Sequence, residues 1–235
     1  MGNEDRVLDW VPRFDEKSRL YPIRTAVPTT LKFGSRRWRS GPILDQGYEG
    51  ACVGFGWSAD AFATPIAVDL NRVKADVPRD HEAFARFVYR NAQKIDEWEG
   101  ESYEGTSVLA GAKAMSALGL IKEYRWAFSV DDVILALLRT GPVVLGTEWR
   151  DGMYEAPGGV LTPSGRVVGG HCYTAVGYHS RAKELDGQPG VYVQNSWGTS
   201  WGNGGTAVIS VDNLADLLAN NGEACVPFRR SYGRS

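Results

Sequence analysis

At Gly141-Pro142 the texture of this chain changes from helix to strand, and that switch restricts the folds open to it. Before it, Ala51 to Ala63 is rich in alanine and aromatic residues, until Pro65 ends the run by clashing with the carbonyl four residues back. Asp80 to Trp98 sets Ala83, Phe84, Phe87, Val88 and Ala92 at helical spacing. A third helix follows Gly105, capped by Thr106 or Ser107 and stopped by Gly119; a fourth, Val130 to Leu138, is capped by Ser129. After Pro142 come short β-branched and aromatic runs at 143–145, 171–178, 191–194 and 206–211, with one or two helical turns at Asn213 to Leu218. Helices first and strands second predict an α+β protein of two lobes with a cleft between them. Ahead of both, Pro12, Pro22, Pro28 and Pro42 make the N-terminal stretch extended. Leu8 to Phe14 carries enough apolar surface to pack along the folded body as a strap.

The bulk numbers exclude several classes of function. A net charge of −2 with 23% charged residues gives no footprint for nucleic acid, a membrane surface or a strongly acidic partner. No apolar run of signal-peptide length follows Met1-Gly2-Asn3-Glu4-Asp5-Arg6, so a cytoplasmic location is expected, with release after synthesis left open. Three cysteines, Cys52, Cys172 and Cys225, argue against a disulfide framework and fit a reducing compartment. No pair of cysteines and histidines has zinc-finger spacing, and neither metal nor organic cofactor is expected.

Cys52 follows the turn-rich Asp45-Gln46-Gly47-Tyr48-Glu49-Gly50 and opens a predicted helix, where unpaired N–H groups and the helix dipole favour a thiolate. The plainer reading is a buried free thiol. Of the three histidines, His81 lies at a polar helix start. His171 and His179 share a face of one strand but stand about 27 Å apart at strand rise, so only one could meet Cys52. His171 follows Gly169-Gly170, where backbone can approach a cleft, whereas His179 runs into Ser180-Arg181; His171 is the candidate base, against a structural histidine as the alternative. Asn195-Ser196-Trp197-Gly198 reads as a strand end and turn, or as an asparagine orienting an imidazole with Trp197 shielding the bond.

Taken together, these stretches resemble the papain family of cysteine peptidases. Asp45 to Cys52 looks like the nucleophile block, Gly169 to Tyr178 like the histidine block, and Asn195 to Gly205 like the asparagine block with both its tryptophans. Weaker similarity runs through Glu104-Gly105-Thr106, Thr140 to Val144 and Gly158-Gly159-Val160. The resemblance implies a papain-like two-lobe fold, with a helical left lobe and an antiparallel, β-barrel-like right lobe. It places residues 1–37 as an extension and 38–235 as the peptidase domain, helical over about 50–125 and β-rich over about 126–235. It implies Cys52 as nucleophile, paired as thiolate with an imidazolium at His171, Asn195 as orienting residue, and Gln46 with the Cys52 N–H as oxyanion donors. A peptide or protein substrate would lie extended against Gly105 and Thr106, with Ser107, Val108, Gly146 and Cys172 as further pocket residues. Trp149, Met153 and Tyr154 read as core.

Departures from the family pattern are also visible. Glu49 stands where many relatives have a disulfide cysteine, and Val53 where a tryptophan usually follows the nucleophile. The residues ahead of the matching region are too few for a long inhibitory prosegment, so a conventional zymogen is not expected. The same blocks would suit a thiol amidase or transpeptidase, or a silent papain-fold module that only binds peptide or protein.

Overall fold

A computed structural model describes residues 2–13, 15–28, 34–65, 67–96 and 104–228; Phe14 and Trp98 lie outside them. The helical half holds α1 (Cys52–Phe62), α2 (His81–Ile95) and α3 (Val108–Ala117). Side-chain caps define two of the three: Asp80 accepts from the Ala83 N–H, and Ser107 from the Ala110 N–H. Gly119, at φ 74°, supplies the left-handed turn that ends α3. α1 is buried along its whole length. Gly56 lets it seat on the sheet, since a Cβ there would fall 2.7 Å from Cys172 Sγ. Thr174 Oγ1 fastens the seat by donating to the Gly56 carbonyl at 2.7 Å.

After α4 (Val130–Arg139) the chain is mostly strand. The strands are β1 (Arg36–Arg37), β2 (Glu123–Trp126), β3 (Val143–Arg150), β4 (Val167–Ala182), β5 (Gln188–Gln194), β6 (Thr206–Ser210) and β7 (Glu223–Phe228), with α5 (Val211–Ala219) before the last. They form one antiparallel sheet in the order β2-β7-β3-β4-β5-β6, with β1 added to β4. The expected α+β class is found, but the sheet is open: β2 and β6 end the path without pairing with each other, so the barrel-like lobe is an unclosed sheet. β2 and β7 were not legible as strands. Pro227 and Glu223 break the β-branched pattern of β7, yet it pairs with β2 on one side and β3 on the other.

Two apolar cores result. One gathers α1, α2 and α3 with Trp10, Val144, Cys172 and Cys225; the other fills the space between the sheet, α4 and α5 around Trp149, Tyr173, Trp197 and Trp201. β4 contributes to both, placing Cys172 in the first and Tyr173 in the second by strand alternation. His171, one position earlier, lies where the two meet. Among the described residues no helix is long and apolar enough to cross a membrane.

Candidate active site

The three blocks converge by backbone pairing. Asp45 and Trp197 form an antiparallel bridge, the Gln46 N–H donates to the Ser196 carbonyl at 2.9 Å, and the Gly198 N–H donates to the Leu44 carbonyl at 3.1 Å. Cys52 is the first residue of α1, whose N-cap is Ala51 with no capping side chain. The opening N–H groups of the helix are therefore not claimed by a cap. The thiol is fully buried beside the backbone N–H groups of Cys172, Asp9 and Val53. Cys172 is the neighbour of His171, so α1 and β4 bring nucleophile and base candidates to one place.

His171 is held from several sides. Its Nε2 lies 2.7 Å from Asn195 Oδ1. That oxygen also accepts the Ser196 N–H at 2.8 Å, so it acts as an acceptor and Nε2 must carry the proton. Nδ1 is left as the basic nitrogen of the neutral ring, and it is buried without a hydrogen bond. Trp149 meets the imidazole edge-on at 4.6 Å between centroids, and Trp197 tilts over it at 4.9 Å. These rings exclude water from the His171–Asn195 bond. Trp149, read as core from sequence, is core and also half of this clamp; its contact with His171 depends on the 147–171 register of β3 and β4, which no local pattern encodes.

Gln46 is oriented by Ser196, whose Oγ donates to Gln46 Oε1 at 2.7 Å. The amide Nε2 is thereby turned toward the cleft, where it meets the Glu49 carbonyl at 2.9 Å and the Val7 carbonyl at 3.3 Å. Val7 belongs to the N-terminal segment, which runs through the site. Thr106 N–H donates to the Asp9 carbonyl and Val11 N–H to the Thr106 carbonyl, both at 3.2 Å, while Trp10 N–H donates to the Gly170 carbonyl at 2.9 Å. Arg6 anchors the approach through the Asp45 carboxylate and the Gly47 carbonyl.

The remaining predicted site residues divide. Thr106 offers its backbone to the cleft, and Gly105, at φ 109°, lies against the Asp9 carbonyl. Gly146 faces Trp10, and the Cys172 backbone N–H faces Cys52. Ser107 is occupied in capping α3 and bonding Asp96 at 3.1 Å, and Val108 is buried in the helical core. Sequence reading did not find Asp9, Trp10 or Glu223 as cleft residues, whereas the approach of backbone at Gly170 was expected. His81 and His179 are exposed and remote, as their polar surroundings suggested.

Burial governs the titration of the pair. It pushes the Cys52 thiol up to about 12, only partly offset by the surrounding N–H groups, and the Asp9 carboxyl adds to the rise. It drives His171 down to about 4 against the upward pull of Asn195. With the N-terminal segment in place, burial thus works against both charged members of the thiolate–imidazolium pair that the sequence resemblance implies.

A buried thiol at a helix start, an imidazole clamped by an asparagine and a tryptophan, and a turned glutamine amide are thus gathered around one cleft. The chain belongs to the papain family of cysteine proteases: the model for that family matches residues 80–221, more than half its length and including His171 and Asn195. The Cys52 block lies ahead of the matched range. Solved structures share the fold at low identity. Xylellain, a cysteine protease from Xylella fastidiosa, matches at TM-score 0.61 and 15% identity, covering 95% of this chain and 96% of that one. A recombinant stem bromelain precursor matches at 0.59 and 16%, covering 98% and 81%. The digestive procathepsin L2 proteinase from Tenebrio molitor larval midgut matches at 0.56 and 21%, covering 96% and 79%. No curated protein matches the chain.

Proposed function

We propose that this protein is a peptidase that cuts peptide bonds through a thioester on Cys52, and that its N-terminal segment occupies the cleft as a plug. The observation that carries the reading is His171 held by Asn195 at 2.7 Å with its basic Nδ1 buried and unbonded, next in sequence to Cys172, whose N–H faces Cys52. Once the segment withdraws, water and substrate enter, and the desolvation that keeps both partners neutral is relieved. The Cys52 proton passes to Nδ1 and the thiolate attacks the substrate carbonyl carbon. Gln46 Nε2–H and the Cys52 N–H hold the oxyanion; losing one such donor costs about 100- to 1,000-fold in kcat. Collapse of the tetrahedral adduct expels the amine, which takes its proton from His171. Water then attacks the thioester with His171 as base, and the thiol and acid product are restored.

The plug escapes this chemistry because the Asp9 N–H faces the thiol while the Asp9 carbonyl is taken up by the Thr106 N–H. Labelling with an epoxide peptide probe, read by intact mass and peptide mapping, tests the reading. Stoichiometric modification at Cys52 that falls at least about 100-fold in His171→Ala is the expected result. Slow, equal labelling of Cys52, Cys172 and Cys225 in every variant would instead leave a protein that only binds peptide.

A further inference from the structure

The outer edge of β2 is only partly covered. The Ala127 N–H donates inward to the Ala224 carbonyl at 2.9 Å, whereas the Trp126 N–H turns outward to the Tyr21 carbonyl at 3.0 Å. Strand alternation therefore turns the Tyr124 N–H outward too. Its partner across the strand pair is Pro227, which has no N–H and so suits a pair that exchanges no hydrogen bonds. On the N-terminal side of Tyr21 the chain leaves β2 as the short helical turn Glu16–Leu20. Beside that turn opens a cavity of ≈ 340 Å³, within the usual size of a small-molecule site. Residues 15–21 supply one wall; Leu109 of α3 and the residues of β2 supply the other.

The lining is aromatic and carries unmatched donors. Tyr124 meets Trp126 edge-on at 6.3 Å between centroids, and Tyr21, on the segment's wall, lies 5.6 Å under the Arg125 guanidinium. Trp126 Nε1 is buried and makes no hydrogen bond. Both carboxylates at the cavity already have partners: Asp15 accepts the Lys17 backbone N–H at 2.9 Å, and Glu123 accepts Arg125 Nε at 3.0 Å. The ammonium groups of Lys17 and Lys122 pair with no carboxylate among the described residues. A cationic ligand would meet three cations here, and an aliphatic one would leave every donor unmatched. An aromatic ring suits the walls, and a carboxylate suits the lysines. We infer that this cavity binds a small aromatic carboxylate, free or as the C-terminal residue of a peptide, with the acid group on Lys17 and Lys122. Its two walls belong to the N-terminal segment and to the body, so the bound acid clamps one to the other. Resting on the peptidase reading above, the clamp holds residues 7–11 seated over Cys52.

The test titrates the full chain with 3-phenylpropionate, its neutral amide and 3-phenylpropylamine, read by calorimetry and by the indole N–H signals in NMR. The Trp126 signal is the one lost in Trp126→Phe; should that variant not fold, calorimetry alone decides. The acid should bind saturably, at least about tenfold tighter than the amide, with the amine weaker still. Lys17→Gln and Lys122→Gln, both at exposed positions, should each weaken the acid about fivefold. Equal binding of the three probes, an affinity unmoved by both lysine variants, or no binding of millimolar acid overturns the inference. N-acetylphenylalanine adds a peptide carbonyl that the Tyr124 N–H could meet; tighter binding than 3-phenylpropionate assigns the site to a peptide end, and anything else to a free acid. At ten times its Kd the acid should slow epoxide labelling of Cys52 up to about tenfold, and less in the lysine variants at the same concentration. Labelling that is not slowed, or slowed equally in those variants because the acid sits in the cleft itself, overturns the clamp and leaves the peptidase intact. Absence of Cys52 labelling under every condition removes the peptidase reading and the clamp with it, while the titration still decides the binding site.

Discussion

The N-terminal segment contains two regions held in different ways. Residues 7–11 lie in the cleft on backbone hydrogen bonds to Thr106 and Gly170, the kind any extended peptide could make. They also bury a group at a cost: Asp9 Oδ2 is enclosed without a hydrogen bond. Residues 21–25, by contrast, are built into the body. Tyr21 accepts the Trp126 N–H at 3.0 Å, Pro22 bridges Trp126, and Arg24 pairs with the buried Asp132 carboxylate. Ile23 is fully buried in the second core beside Val133 and Leu137. The contrast teaches that one stretch of chain can be exchangeable at one end and structural at the other. Only the exchangeable end touches the chemistry.

Two truncations of large buried side chains put the comparison at greatest risk. Trp10→Ala removes the main apolar anchor of the plug, and losing a buried tryptophan is worth about 3–5 kcal/mol. Cys52 labelling should accelerate by about 100-fold or more, and global stability should fall by no more than the share that seating supplies. Ile23→Ala should do the reverse, lowering global stability by about 2–5 kcal/mol in denaturant titration without accelerating labelling. Equal acceleration by both would mean that the two regions release together.

A smaller effect comes from pH. Burial and the Asp96 charge raise Glu223 to about 8 in the plugged form, with the donors at Trp10 and nearby Arg13 offsetting only part. The plugged form therefore binds a proton that the open form releases above the ordinary carboxyl value of 4.5, and seating weakens as pH rises through 8. Asp9, also raised by burial and by Glu104, acts in the same direction. His171 opposes them below the ordinary imidazole value of 6.5, because its depressed pKa favours opening as pH falls toward 4. Between pH 6.5 and 8 Glu223 acts without that opposition, and opening should gain at most about tenfold per pH unit. Comparing Cys52 labelling in wild type and Glu223→Gln over this window isolates the contribution; parallel profiles would remove Glu223 from the control of seating.

The least effect is expected at the anchored end. Arg24 is about half exposed, so Arg24→Ala should cost on the order of 1 kcal/mol and leave labelling unchanged. A labelling change in that variant would show that strain travels from anchor to plug.

Much of this architecture was legible in the chain because its signals are local. Ser107, Asp80 and Ser129 announce their helices by capping chemistry, and the Asn195 and His171 blocks carry their own turn residues. The features that escaped were those made by register. Glu223 is an ordinary acid in sequence, and only its pairing with Gly146 places it under Trp10. The segment 8–14 was legible as a strap from its apolar content, but its course past Gly170 and Thr106 is set by backbone groups that carry no residue signature. The effect of burial on the dyad escaped for the same reason, since it follows from what covers Cys52 and not from Cys52 itself.

The Asp9 N–H beside the Cys52 thiol has a consequence for dose response. A plug that is not cut persists as a tethered competitor, and a short tether holds its ligand at an effective concentration in the millimolar range. Dilute peptides would lose that contest and abundant ones would win it. Proteolysis would then begin at a threshold of substrate, and the cleft would close again once the supply was spent.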